Sequence, residues 1–132
     1  MNELNQIKTV VFPVAGIGSR FLPVTKTVPK ELLPILNIPL IEYAVNEAKE
    51  AGIERFIFVS SPEKKSITDY FKKDKKLESY LKNKNSDLLI GLEKNLISDD
   101  SLIEVVQEEP LGLGHAIWCA RDYIDGPFAV IL

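Results

Sequence analysis

Thr9-Val10-Val11-Phe12-Pro13-Val14-Ala15-Gly16-Ile17-Gly18-Ser19-Arg20 sets a short β-branched and aromatic run directly before a pair of glycines. Thr9–Phe12 reads as a buried strand, and Ala15-Gly16-Ile17-Gly18 as the bend that ends it. A strand delivered into such a bend suits phosphate, because glycine lets backbone N–H groups approach an anion closely and Arg20 adds a planar charged fork. The same glycines equally serve a tight turn that does no more than close a strand. The spacing is neither a P-loop, since no Gly-Lys-Ser/Thr follows, nor a good dinucleotide fingerprint, since Phe21 stands where a third glycine belongs.

Downstream, Pro23, Pro29, Pro34 and Pro39 exclude a long helix before Leu40, so Arg20 to Ile38 is expected to be mostly loop. Lys26 and Lys30 lie on this stiff segment, where cations can be held near the glycine bend at little ordering cost. From Leu40 the apolar positions Leu40, Ile41, Ala44, Val45 and Ala48 recur at helical spacing, with Pro39 at the entry and Gly52 at the stop. Arg55–Val59 predicts a second strand. Ser61-Pro62-Glu63 then predicts a capped helix start for a helix carrying Ile67, Tyr70 and Phe71.

Residues 72–100 change composition, rich in Lys and Asn, with Leu77/Leu81 and Leu88/Leu92 paired at spacing four. They read as one or two surface helices inserted between core elements, with acids interleaved among the lysines and therefore no basic nucleic-acid patch. Leu102–Val106 resumes strand character, Pro110 to Gly114 forms a turn, and His115–Tyr123 predicts a helix with Ala116, Ile117 and Ala120 facing inward and Trp118 and Cys119 engaged in packing. Phe128–Leu132 predicts a last strand. Strands alternating with helices imply an α/β fold with a mostly parallel sheet and helices on both faces.

The chain has 132 residues, 45% hydrophobic and 27% charged, which is enough for one core and predicts one domain. A net charge of −3 argues against a whole-molecule field built for nucleic acid or an anionic membrane, so any anion site must be local. The lone Cys119 excludes an internal disulfide framework and a Cys-rich zinc module, and fits a reducing cytoplasm. No leader signature opens Met1–Gln6, and the most apolar stretch, Leu32–Ile41, is broken by Pro34, Asn37 and Pro39, so neither secretion nor membrane spanning is expected.

A second constellation runs from Gln107 to His115. Gln107 ends a strand with an amide able to donate and accept together, the equipment for reading a uracil or another base edge, and Gly112 permits close backbone approach. A glutamine in a solvated loop is the plainer alternative. His115 could touch a ligand or only sit at a helix start; no second histidine or orienting acid marks it as a general base.

Val11 through Lys26, then Pro29-Lys30-Glu31-Leu32-Leu33-Pro34, Pro39 through Tyr43, and Gln107 through Ala116 together resemble the opening of bacterial UTP–glucose-1-phosphate uridylyltransferases. The resemblance spans nearly the whole chain. It implies a Rossmann-like nucleotidyltransferase fold of the GT-A-like kind, and a reaction in which glucose 1-phosphate attacks the α-phosphorus of UTP to give UDP-glucose and pyrophosphate. It further implies that Ala15 and Gly16 meet the uracil through backbone groups, that Glu31, Gln107 and Gly112 complete the nucleoside pocket, and that Arg20 and Lys30 address the phosphates and the leaving pyrophosphate. Gly18, Ser19, Lys26 and His115 are further candidate contacts. Ser19 departs from the usual threonine but keeps its hydroxyl, and Lys26 matches a lysine of this branch with no contact assigned.

Mg²⁺ is the implied cofactor. The resemblance places its aspartate ligand, the sugar pocket and a further lysine after a strand like Phe128–Leu132, so residues 1–132 are expected to be the nucleotide-binding part of a C-terminally truncated domain, lacking the sugar-binding half and catalytically incomplete. A stand-alone nucleotide-binding module and a dinucleotide-binding dehydrogenase domain are the competing expectations, and a homo-oligomer is left open.

Overall fold

In chain order the elements are strand β1 (Thr9–Pro13), a small hairpin of β2 (Pro34–Ile35) and β3 (Ile38–Pro39), helix α1 (Leu40–Glu50), β4 (Arg55–Ser60), α2 (Lys65–Asp69), α3 (Lys75–Lys82), α4 (Ser86–Glu93), β5 (Leu102–Val106), α5 (Leu113–Cys119) and β6 (Phe128–Val130). The structure is a computed structural model that describes residues 6–132; the reading of Met1–Asn5 as leaderless falls outside them. Four strands form one all-parallel sheet in the order β5-β4-β1-β6, with Val10 opposite Phe56 on one side of β1 and Ala129 on the other.

Period-two alternation sends β1 side chains to two cores. Val10 and Phe12 join Phe56, Phe58, Ile41, Val45, Ile67 and Phe71 beneath α1 and α2, whereas Val11 joins Ile57, Val59, Ala116 and Ala120 beneath α5. Helices therefore cover both faces, as the alternating pattern implies. The larger core is knit by aromatic stacking, Phe12 on Phe58 at 4.9 Å between centroids and Phe58 on Phe71 at 5.5 Å.

Helix α1 stops where Gly52 takes φ +89°, with Gly52 N donating to Lys49 O and Ile53 N to Ala48 O, the paired bonds of a Schellman end. The lysine-rich segment resolves into two helices, α3 and α4. Each is capped by a side chain, Asp74 accepting from Leu77 N at 3.0 Å and Asn85 from Leu88 N at 3.2 Å, caps worth about 1 kcal/mol each. Of their four paired leucines only Leu81 is buried.

Four expectations need correction. Ser61 does not cap a helix: Lys64 N bonds Ser61 O, the intervening residues form a turn, and α2 starts only at Lys65 and ends before Tyr70 and Phe71. Helix α5 begins at Leu113, two residues before His115, and after Cys119 tightens into a 3₁₀ turn at Arg121–Tyr123. Trp118 is not packed in a core; it is 61% exposed and stacks under the Arg121 guanidinium at 4.6 Å. Strand β6 is also shorter than the apolar run, ending at Val130, although Ile131 N still bonds Val11 O.

Candidate functional site

Three loops leave the carboxyl ends of β1, β4 and β5 side by side. Val14 N donates to Val59 O and Gln107 N to Ser60 O, both at 2.8 Å, carrying the parallel ladder one residue past the strands before the loops diverge. The chain builds outward from β1 to β5 and then returns to place β6 on the other side of β1. In open α/β sheets the rim beside such a reversal is where ligands bind.

The loop after β1 is the glycine bend. Its carbonyls are tied into the protein: the Lys64 ammonium donates to Val14 O at 3.2 Å and to Gly16 O, and the Thr25 hydroxyl donates to Gly18 O at 2.7 Å. Within the described residues the N–H groups of Ala15, Gly16, Ile17 and Gly18 have no backbone acceptor, leaving a run of donors for an acceptor supplied from outside. Gly18 adopts φ +70°, and a Cβ there would lie 3.1 Å from Thr25 Cγ2; a Cβ at Gly16 would meet nothing within 4 Å and would project into open space. One glycine is thus required by the fold, and the other is free to serve a ligand.

The loop after β5 carries Gln107, which is 6% exposed. Its Nε2 donates to Gly112 O at 3.2 Å and lies 2.9 Å from His115 Nδ1. A carbonyl can only accept, so the Gly112 contact identifies the amide nitrogen and occupies one of its hydrogens, while the other side of that nitrogen faces the His115 ring. With its nitrogen turned toward Gly112 and His115, the amide presents its oxygen as the atom left for a ligand. Gly112 makes this fold-back with φ +100° and ψ 177°, a conformation essentially confined to glycine.

Ala15, Gly16, Gly18, Ser19, Gln107 and Gly112 line one cavity of about 440 Å³. Ala15 and Gln107 also border a second, of about 500 Å³, whose walls include Lys26 and the Ser61–Lys64 turn. Arg20 and Lys30 meet across a depression of about 330 Å³ floored by Gly18 and Ser19. Glu31 faces a more apolar cavity of about 470 Å³ with Phe12, Phe21 and Leu40. The two bends thus share a rim, with Arg20 and Lys30 at one end and Lys26 at the other. His115 borders none of these cavities; its ring lies behind Gln107, with Cys119 Sγ 3.8 Å from Nδ1.

Sequence reasoning missed Lys64 and Thr25. Lys64 also pairs with Glu31 Oε2 at 3.5 Å, the two side chains 12% and 11% exposed. It sits in a turn of Ser-Pro-Glu-Lys type, and its principal partners are backbone carbonyls about fifty residues away, which leave no trace in the sequence. Thr25, seven residues from Gly18, lay within reach of a local reading.

Residues 9–132 match the model of the nucleotidyl transferase family. UTP–glucose-1-phosphate uridylyltransferase from Bacillus subtilis is 44% identical over 130 residues, covering 98% of this chain and 44% of the relative. Among solved structures, the UTP-bound UGPase from Acinetobacter baumannii superposes with a TM-score of 0.90 at 46% identity, covering 96% of this chain and 45% of that one. A UDP-glucose pyrophosphorylase complexed with UDP-glucose gives 0.74 at 44% identity, over 96% of this chain and 45% of the other. The chain spans less than half the length of each of these relatives.

Proposed function

Because the chain belongs to the nucleotidyl transferase family, we propose that residues 1–132 form the nucleotide-binding part of a UTP–glucose-1-phosphate uridylyltransferase, with the α3–α4 helices an insertion in it. The observation that carries this reading is the convergence of the glycine bend and the Gln107–Gly112 bend on one cavity. A row of backbone N–H groups beside a lone amide oxygen complements uracil, whose ring presents two carbonyl acceptors flanking an N–H donor.

In the proposed reaction a phosphate oxygen of glucose 1-phosphate attacks the α-phosphorus of UTP, the bond to the β-phosphate breaks, and UDP-glucose and pyrophosphate leave. Arg20 and Lys30, facing the same depression, neutralise the triphosphate and the departing pyrophosphate, while Gly18 and Ser19 form its floor. Ala15, Gly16, Gln107 and Gly112 hold the base, Glu31 borders the neighbouring apolar cavity at this rim where it pairs with Lys64, and Lys26 lies along the second cavity.

Mg²⁺ bound with the nucleotide would add charge neutralisation to this chemistry. Among the described residues no group of three or more His, Cys, Asp or Glu side chains converges; Arg20 and Lys30 supply positive charge and the two bends orient the nucleotide. No helix of the described residues is long and apolar enough to cross a membrane; the single cysteine fits a reducing cytoplasm, where UTP and glucose 1-phosphate are the proposed small-molecule partners.

Calorimetric titration with UTP and, separately, with NAD tests the reading. Saturable binding of UTP without binding of NAD supports it; preference for NAD returns the chain to the dinucleotide-binding alternative.

A further inference from the structure

We propose that His115 is the residue that sets base selectivity, a positioning residue that never touches the nucleotide but fixes the polarity of Gln107. This inference rests on the uridine-nucleotide reading of the cavity. The Gln107 amide has two hydrogens and one oxygen to dispose of, and it is buried. Gly112 O takes one hydrogen at 3.2 Å. The nitrogen is also 2.9 Å from His115 Nδ1, so that ring atom accepts the second hydrogen and the imidazole proton sits on Nε2. Among the described residues no buried side-chain oxygen or nitrogen lacks a partner. Gln107 Oε1 accepts no hydrogen bond among the described residues and is therefore not sealed from solvent, and Gln107 lines the cavity shared with Ala15, Gly16 and Gly112.

An accept-only atom at that point is selective. It matches the ring N–H of uracil and repels the ring nitrogen of cytosine, which is itself an acceptor at the equivalent position. Removing the Nδ1 acceptor leaves one amide hydrogen without a partner and lets the amide rotate, so that its NH₂ also faces the cavity. Discrimination then falls even where overall affinity changes little. His115 is the third residue of α5, three residues beyond the Gly112 that precedes the helix, so the histidine and the carbonyl that share the amide are held at a fixed spacing by one short helix. Cys119, one turn further, packs on the ring with its Sγ 3.8 Å from Nδ1 and 3.9 Å from Nε2.

The test uses residues 1–132 without and with nucleotide. Long-range ¹H–¹⁵N spectra of the free chain report the His115 tautomer; the Nε2–H form is expected, and the Nδ1–H form overturns the proposal whatever the chain binds. UTP and CTP titrations then compare His115→Leu with His115→Asn, whose side-chain oxygen approximates the Nδ1 acceptor. The preference for UTP over CTP should fall about tenfold in His115→Leu and be largely retained in His115→Asn, a pattern that loss of packing alone does not produce. A wild-type chain that prefers UTP, together with a His115→Leu chain that keeps the same preference, overturns the role of His115 alone. A wild-type chain with the expected tautomer that binds both nucleotides alike, or neither, overturns the uridine reading and this role together.

Discussion

The Lys64 ammonium and the Glu31 carboxylate stand 3.5 Å apart with both side chains nearly nine-tenths buried, and the same ammonium holds the carbonyls of Val14 and Gly16. One cation thus joins the loop after β4, the glycine bend and the proline-rich loop. Lys64→Met would leave a buried carboxylate without its counter-charge and two carbonyls without their donor, and is expected to cost about 3 kcal/mol. Urea unfolding measures it. Adding Glu31→Gln should restore part of the loss; a single substitution that leaves the midpoint unchanged contradicts the clamp.

Gly16 and Gly18 separate ligand effects from folding effects. Gly18→Ala forces a left-handed backbone and a 3.1 Å contact with Thr25, and should destabilise by about 1–2 kcal/mol in thermal unfolding. Gly16→Ala meets no atom within 4 Å, so stability should stay within about 0.5 kcal/mol of the parent while UTP affinity drops about tenfold or more. Equal UTP affinity in the Gly16 variant would remove Gly16 from the proposed site.

Leu36, at the tip of the β2–β3 hairpin, has φ +60° and is 94% exposed. A branched side chain there pays for a left-handed backbone and gains no packing. Leu36→Asn should raise stability by about 1 kcal/mol, read as a higher melting temperature with unchanged UTP binding. A lower melting temperature would show that the turn prefers leucine for a reason other than conformation.

Burial and a 2.6 Å hydrogen bond to Glu42 push the Tyr70 phenol well above the ordinary tyrosine range. The raised value means that the neutral phenol is favoured by the fold: the stabilisation is complete below the ordinary tyrosine pKa and is lost as pH climbs toward the folded value. In a phenolate absorbance titration of the four tyrosines, one should lag until the chain unfolds. Tyr70→Phe should abolish the lag; a lag that survives this substitution assigns it elsewhere.

The fold was legible where side-chain pattern and backbone demand coincide. Val10, Val11 and Phe12 announce a strand buried on both faces, and Gly52 marks the end of α1 because only that position needs a left-handed residue. The junction after β4 was misread because Ser61-Pro62-Glu63 carries the chemistry of a helix start, while the fold uses it as a turn that brings Lys64 to Val14 and Gly16. Trp118 was misread because a large aromatic was taken as packing, although helical spacing from Ala116 and Ala120, which do face the sheet, turns it to the opposite side of α5. The identities at the two bends were visible in the sequence; that Gln107 turns its amide nitrogen toward Gly112 and His115 depends on the Gly112 fold-back and was not.

The central claim, that the bend after β1 and the bend after β5 grip one nucleotide together, is tested most directly by ¹H–¹⁵N correlation spectra of residues 1–132 titrated with UTP. Concerted shifts with one shared affinity are expected at the amides of Ala15, Gly16 and Gly18 and of Gly112, and at the Gln107 side chain. Shifts confined to one bend, or two bends titrating with different affinities, would contradict it.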